Sequence, residues 1–202
     1  MKKLLLGLLL LSGLAIQAEE PAVQPEVPKE AEQDAAQVQY KKELKELLEK
    51  EKAAVWKGIE EKAKALKPLA QEIEKLDDEG TEESWNQAEK LKEEMRRRTS
   101  SFGAKSIRGF SNYSADEAAY LGYNRYLNLK AALGEQLFGT SDAIKKEVQE
   151  FKESVFNNAT KNDLEELGNC IRSNELPDKE KDSNCVVSFG DKIIKLLMRA
   201  SL

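Results

Sequence analysis

The chain contains no histidine. That removes the commonest general base, the commonest metal ligand and every Ser-His or Cys-His nucleophile pair. Cysteine is nearly absent too, with Cys170 and Cys185 as the only two. The phosphate-cradling and nucleophile motifs G-x-x-x-x-G-K-[ST], G-x-G-x-x-G and G-x-S-x-G do not occur. No apolar run is long enough to span a bilayer, which takes about 20 residues. No cofactor or metal is therefore expected. Of the familiar catalytic chemistries, a hydrolase working with two carboxylates is the one left open. The 37 acids nominate no particular pair.

What is present begins with an address. In "MKKLLLGLLLLSGLAIQA", Lys2 and Lys3 precede a short apolar core, Leu4 to Leu11, and Ile16-Gln17-Ala18 offers small residues for cleavage. Residues 1–18 read as a signal peptide, so the protein is expected to be exported, to the periplasm or beyond. No cysteine stands just after the apolar core to carry a lipid, the first being Cys170.

Residues 19–37 read as an acidic, proline-rich, disordered linker, with Pro21, Pro25 and Pro28 among acids. Beyond it, basic and acidic side chains are close to balance, so nucleic acid is not expected as a partner. In an oxidising compartment two cysteines pair in one way, Cys170 with Cys185. Closing that loop is worth about 3 kcal/mol in the chain-entropy account.

The body, 38–202, is helical in pattern. In residues 39–77 apolar positions recur every eleven residues: Leu44, Val55 and Leu66; Leu48, Ile59 and Ala70; Leu47, Gly58 and Leu69. That repeat builds one broad stripe along a helix. Pro68 should kink or restart this helix near Lys67. After "DDEGT", Ser84, Ala88, Leu91 and Met95 continue in a helix running back, which makes 38–100 a coiled-coil-like hairpin arm.

Residues 114–202 then form a C-terminal bundle. Ser114 with Glu117 is a capping box opening a helix that stops at Gly139, and Thr160 with Asp163 opens another. Ile144, Val148, Phe151 and Val155 mark a helix between these two, and Ser188 with Asp191 a last one. "CVVSF" has strand character, but a single strand makes no sheet. The expected fold is all-α, a helical bundle with a long amphipathic N-terminal hairpin and one disulfide near the C-terminus.

Candidate contact residues gather in "MRRRTSSFGAKSIRGF". Arg96, Arg97 and Arg98 complement the free carbonyls ending a helix. Lys105 and Arg108, with Phe102 and Phe110, fall in a basic loop expected over 101–113, where apolar and basic side chains interleave. Such a loop suits an anionic membrane or glycan surface, and it equally suits a hinge. Tyr120 and Tyr123, next to Tyr126, are core aromatics or an aromatic floor beside that loop.

The expected function is that of an exported, non-enzymatic binding protein: an envelope scaffold, adaptor or chaperone-like molecule. It would bind a protein partner, or a second copy of itself, through helices 39–98. Peripheral binding to an anionic envelope surface through residues 96–110 is the alternative. Salt separates the two, because docking to an anionic surface should weaken steeply between low and high ionic strength whereas helix-stripe association should not. Reversing the charge of Arg96, Arg97 and Arg98 should abolish sedimentation with anionic vesicles and leave protein association intact.

Overall fold

The computed structural model describes residues 29–139, 142–173, 182 and 184–190. Among these it is all helix: α1 Lys29–Lys50, α2 Lys52–Trp56, α3 Ile59–Glu79, α4 Glu82–Gly109, α5 Ala115–Phe138, α6 Asp142–Asn158 and α7 Lys161–Arg172. Residues 184–190 are helical as well. Among the described residues no helix is long and apolar enough to cross a membrane.

The organising element is α5. From Ala118 to Asn124 every residue is buried, which is the property of a helix enclosed on all sides. It is the one long helix whose middle carries no charge, since nothing between Glu117 and Arg125 is ionisable at neutral pH. The other helices pack around it, with α4, α7 and α3 making the most extensive contacts. Two glycines set the closest approaches. A Cβ on Gly122 would lie 2.7 Å from the backbone nitrogen of Ile107, and one on Gly168 would lie 2.6 Å from the carbonyl carbon of Ala115. These absent side chains let α4 and α7 touch α5 backbone to backbone.

Of the eleven-residue rows, Leu44, Val55 and Leu66 are all buried, but they do not lie on one straight helix. Backbone hydrogen bonds cross Glu51, from Glu51 N to Leu47 O at 3.0 Å and from Val55 N to Glu51 O at 2.9 Å, so α1 and α2 are one helix bent there. The break comes at Gly58, with φ of 75°, a left-handed conformation that costs a residue with a side chain about 1–2 kcal/mol. It splits the stripe between two cores. Leu44 and Val55 join Ile107, Leu121 and Leu164, whereas Ile59, Ala63, Leu66 and Ala70 pack on Leu129 and Leu133.

The interruption expected at Pro68 does not occur, and α3 runs through it. Pro68 is exposed, while Leu66 and Ala70 on either side are buried. The helix thus loses one backbone hydrogen bond and keeps its anchorage.

Further expectations need correction. Residues 29–37, read as part of the linker, belong to α1. The last linker proline, Pro28, stands just before that helix, and no proline follows until Pro68. The basic loop over 101–113 is also helical as far as Gly109, because α4 continues through it with Gly103, Ala104, Ser106 and Ile107 buried. Serines and glycines that suggested a loop are there because α4 crosses α5 closely: a Cβ on Gly103 would meet Tyr126 at 3.2 Å. "CVVSF" is helical rather than extended, and Ser188 lies inside a helix instead of capping one. Asp191 lies outside the described residues.

The capping boxes at Ser114–Glu117 and Thr160–Asp163 form as expected, and Thr81 with Ser84 makes a third. The hairpin of α3 and α4 packs along α5 for much of its length, with Met95 and Phe102 against Leu129 and Leu133. Taking the register from Ile107 opposite Gly122 and Gly103 opposite Tyr126, the end of α5 lies about level with Leu91. The outer part of the hairpin, about ten residues on each side of Gly80, extends past it, held by buried Leu76, Ser84 and Ala88 and by Lys92 bonded to Asp77 at 3.0 Å.

The disulfide is present. Cys170 and Cys185 join α7 to the 184–190 helix with a Cα–Cα distance of 6.3 Å. Replacing both by serine should remove about 3 kcal/mol, which for a chain of this size lowers Tm by about 6–12 °C in a thermal melt. Gly168→Ala, which forces α7 away from α5, should cost about 1–3 kcal/mol in the same measurement with the disulfide intact.

Candidate functional site: a cleft between the N-terminal helix and helix 6

The basic segment singled out in the sequence is satisfied within the fold. Arg96 pairs with Glu93, while Arg97 and Arg98 both pair with Glu94, one helical turn earlier. The hydrogen bond from Arg98, with that from Arg97, holds the Glu94 carboxyl below the usual range against the opposing effect of burial. Arg108 makes a two-pronged pair with buried Asp182 and also donates to the Ile171 carbonyl at 3.2 Å. Arg172 reaches the opposite way, to the carbonyls of Phe110 at 3.1 Å and Tyr113 at 2.9 Å. These two arginines bind the α4–α5 junction to α7.

Phe110 is buried in the larger core and Phe102 is packed against the smaller one. The guanidinium of Arg125 lies 5.3 Å from the centre of the Phe102 ring and donates to the Lys57 carbonyl at the α2–α3 break. Lys105 is exposed and, among the described residues, has no carboxylate partner. Of the nominated residues it alone keeps a free charge on α4.

Tyr120 and Tyr123 are core aromatics. Tyr120 meets Phe156 edge-on at 4.4 Å, and Tyr123 meets Phe156 at 5.6 Å and Phe189 at 5.4 Å. Burial pushes the Tyr120 hydroxyl up to about 12, against an opposing hydrogen bond from Asn124.

Tyr120 has a second role, for it begins the floor of a cleft of about 510 Å³. The floor follows one face of α5 at i, i+4, i+8: Tyr120, Asn124 and Asn128. One wall is the bent α1–α2 helix, with Lys45, Leu48, Glu49, Lys52, Val55 and Trp56. The other is α6, with Gln149, Lys152, Glu153 and Phe156. Both walls follow helical spacing, so each helix turns a continuous face to the cleft.

Polar groups line it in an orderly way. The Asn124 amide donates to the Tyr120 carbonyl at 3.0 Å, and Lys152 donates to Asn128 Oδ1. Burial lowers the pKa of Lys152. Glu49 pairs with Lys52 at 3.5 Å, and Glu153 accepts from Gln149 at 2.8 Å. Trp56 is half-exposed at the rim. Among the described residues no cluster of three or more acids or cysteines could hold a metal ion.

The wall formed by α1 is latched at its far end. Gln37 Nε2 donates to the Ala159 carbonyl at 3.2 Å, and Lys41 donates to that of Asn157. The Tyr40 hydroxyl donates to Asp116 Oδ2 at 2.8 Å, and Ser114 donates to Asp116 Oδ1 at 2.6 Å. Burial alone would raise the Asp116 pKa, but the bonds from Ser114 and Tyr40 outweigh it and hold the carboxyl below its usual range. Burial, with the bond to Asp116, holds the Tyr40 hydroxyl far above its usual range.

Sequence reasoning missed this cleft, although a signal for its floor exists. Asn124 and Asn128 stand four apart inside a helix, where asparagine competes with the backbone and is disfavoured. Two of them on one face are unlike ordinary core. The walls carry no such mark, since Lys45, Glu49, Lys152 and Glu153 look like any solvated helix face.

Compared with known families, curated proteins and solved structures, the chain matches none.

Two outcomes follow from the latch. Tyr40→Phe removes one hydrogen bond to a buried carboxylate, a loss of about 1.5–3 kcal/mol, and hydrogen exchange should show it chiefly in α1. Because the folded Asp116 pKa is depressed, its stabilisation is complete above the ordinary value of about 3.9 and is lost as pH falls through the folded value. Melts of Asp116→Asn should therefore start lower at neutral pH and lack this acid-side loss.

Proposed function

We propose that the protein is an exported, non-enzymatic binding protein whose ligand site is the cleft between α1–α2 and α6. The observation that carries this reading is the pair of buried asparagines on its floor, Asn124 and Asn128 at 3% and 7% exposure. Buried amides stabilise a fold only when their bonds are made, and each of these, lining the cleft, is bonded at one end and has no protein partner at the other among the described residues. A volume of about 510 Å³ suits a small molecule or a few units of a polar chain. Export is supported by the residues at 1–18 and by the disulfide, which suits an oxidising compartment.

The arm is the weaker site. The inner part of its apolar stripe is occupied by α5, and the outer part of the hairpin, which extends past α5, closes on itself through Leu76 and Ala88 and exposes one aromatic, Trp85. That outer part supports a secondary protein contact. Residues 96–110 offer an anionic surface little free charge beyond Lys105.

A second reading, a carboxylate-dependent hydrolase, is favoured by one observation: Glu49 and Glu153 line opposite walls of the same cleft. A general acid of that kind needs an apolar shelter, and both carboxylates are exposed and engaged by neighbours. Binding without turnover is the reading the site favours.

Hydrogen exchange measured with and without a native envelope extract tests the proposal. Protection should appear along α1, α2 and α6, vanish in Trp56→Ala and persist in Trp85→Ala. Protection confined to the hairpin tip and abolished by Trp85→Ala would replace the cleft with the arm. Ligand consumed over hours by the wild type and spared by Glu153→Gln would make the protein a hydrolase.

A further inference from the structure

We infer that the cleft takes an acidic saccharide, a short run of sugar units bearing carboxylates; this rests on the cleft being the binding site. The floor supplies the first argument. Asn124 spends its amide nitrogen on Tyr120, which leaves Oδ1 as an acceptor. Asn128 spends Oδ1 on Lys152, which leaves its amide nitrogen as a donor. Among the described residues neither leftover atom has a protein partner, and neither is sealed from solvent. A buried acceptor and a buried donor one helical turn apart match the edge of a sugar, where each hydroxyl gives one bond and receives another.

Trp56 supplies the second. It is 50% exposed at the rim of a polar cleft, a position with little packing to recommend it. A flat indole lining the same cleft as two planar amides suits a ring that has apolar C–H faces and a polar edge, since an aromatic offers contact area at low entropic cost.

Charge supplies the third. Of the five groups lining the cleft that are charged at neutral pH, Glu49 is matched by Lys52 and Glu153 is bonded to Gln149. Lys45 and Lys152 have no carboxylate partner among the described residues. Lys152 is the more telling, because its half-buried ammonium leans on a neutral amide only, and charge taken out of water is stabilised by an opposite charge. A ligand carboxylate between the two walls would meet both ammonium groups, while Glu49 and Glu153 remain to accept hydroxyl protons.

Trigalacturonate is the probe, with maltotriose as its neutral counterpart and triglutamate as an acidic peptide. Binding is read from Trp56 emission in a Trp85→Phe background and from the side-chain amide signals of Asn124 and Asn128. Trigalacturonate should move both signals, and Lys152→Met should weaken it at least tenfold. Higher salt should weaken it as well. Equal binding of maltotriose, or binding of triglutamate in preference to either sugar, overturns the inference. So does silence with all three probes. A native envelope extract then separates the two levels: if it still shifts Trp56, the cleft stands and the saccharide falls. If the extract too is silent, both fall.

Discussion

A helix with no solvent side sets the terms for everything else in this protein. Burying Ala118 through Asn124 without interruption requires neighbours on every face, and the chain supplies them from both directions along its sequence. The glycines at 122 and 168 follow from that requirement, because helices surrounding one axis must come close, and a side chain at either contact would hold them apart. The break at Gly58 follows as well. One straight helix from residue 29 to 79 could cover only one face of α5, whereas a left-handed glycine divides it so that the first part lies over the larger core and the second over the smaller.

Charge in this molecule is settled locally. The arginines at 96–98 read as complementing the free carbonyls of a helix end, but α4 continues past them, and the acids that pair with them lie one turn back on the same helix face. Exposed pairs of this kind contribute little to stability, but they do remove the free positive surface that a row of arginines suggests. The buried ions behave differently. Asp182 with Arg108 and Asp116 with Tyr40 and Ser114 each join elements far apart in sequence, so they report tertiary arrangement that no local pattern can announce.

The division between what was legible and what was not follows the same line. Caps are local, and Ser114–Glu117 and Thr160–Asp163 stood where their spacing put them. The stripe residues Leu44, Val55 and Leu66 were legible as one apolar set, since helical period does not depend on the partner, but what covers them is this chain's own core rather than a second protein. The pairing of Cys170 with Cys185 needed only the count. The extent of α4 was misread because Ser100, Gly103 and Ser106 are turn residues by propensity and contact residues by position, and tertiary packing decided between the two. The cleft was invisible for a different reason. Its walls come from residues about a hundred positions apart, and their faces resemble solvated surface until the fold opposes them.

The latch at the N-terminal end of α1 has a consequence for how the molecule comes apart. The hydrogen bonds of Gln37, Tyr40 and Lys41 are made to the α6–α7 junction and to the start of α5, and the Tyr40 ring packs against the larger core. Proteolytic trimming from the N-terminus would therefore act in two stages. Residues 32–36 are exposed, so trimming through them spares the latch, and loss of the next five frees one wall of the cleft while the helices around α5 stay folded. The boundary between a trimmed protein and a disarmed one falls within a single turn of helix.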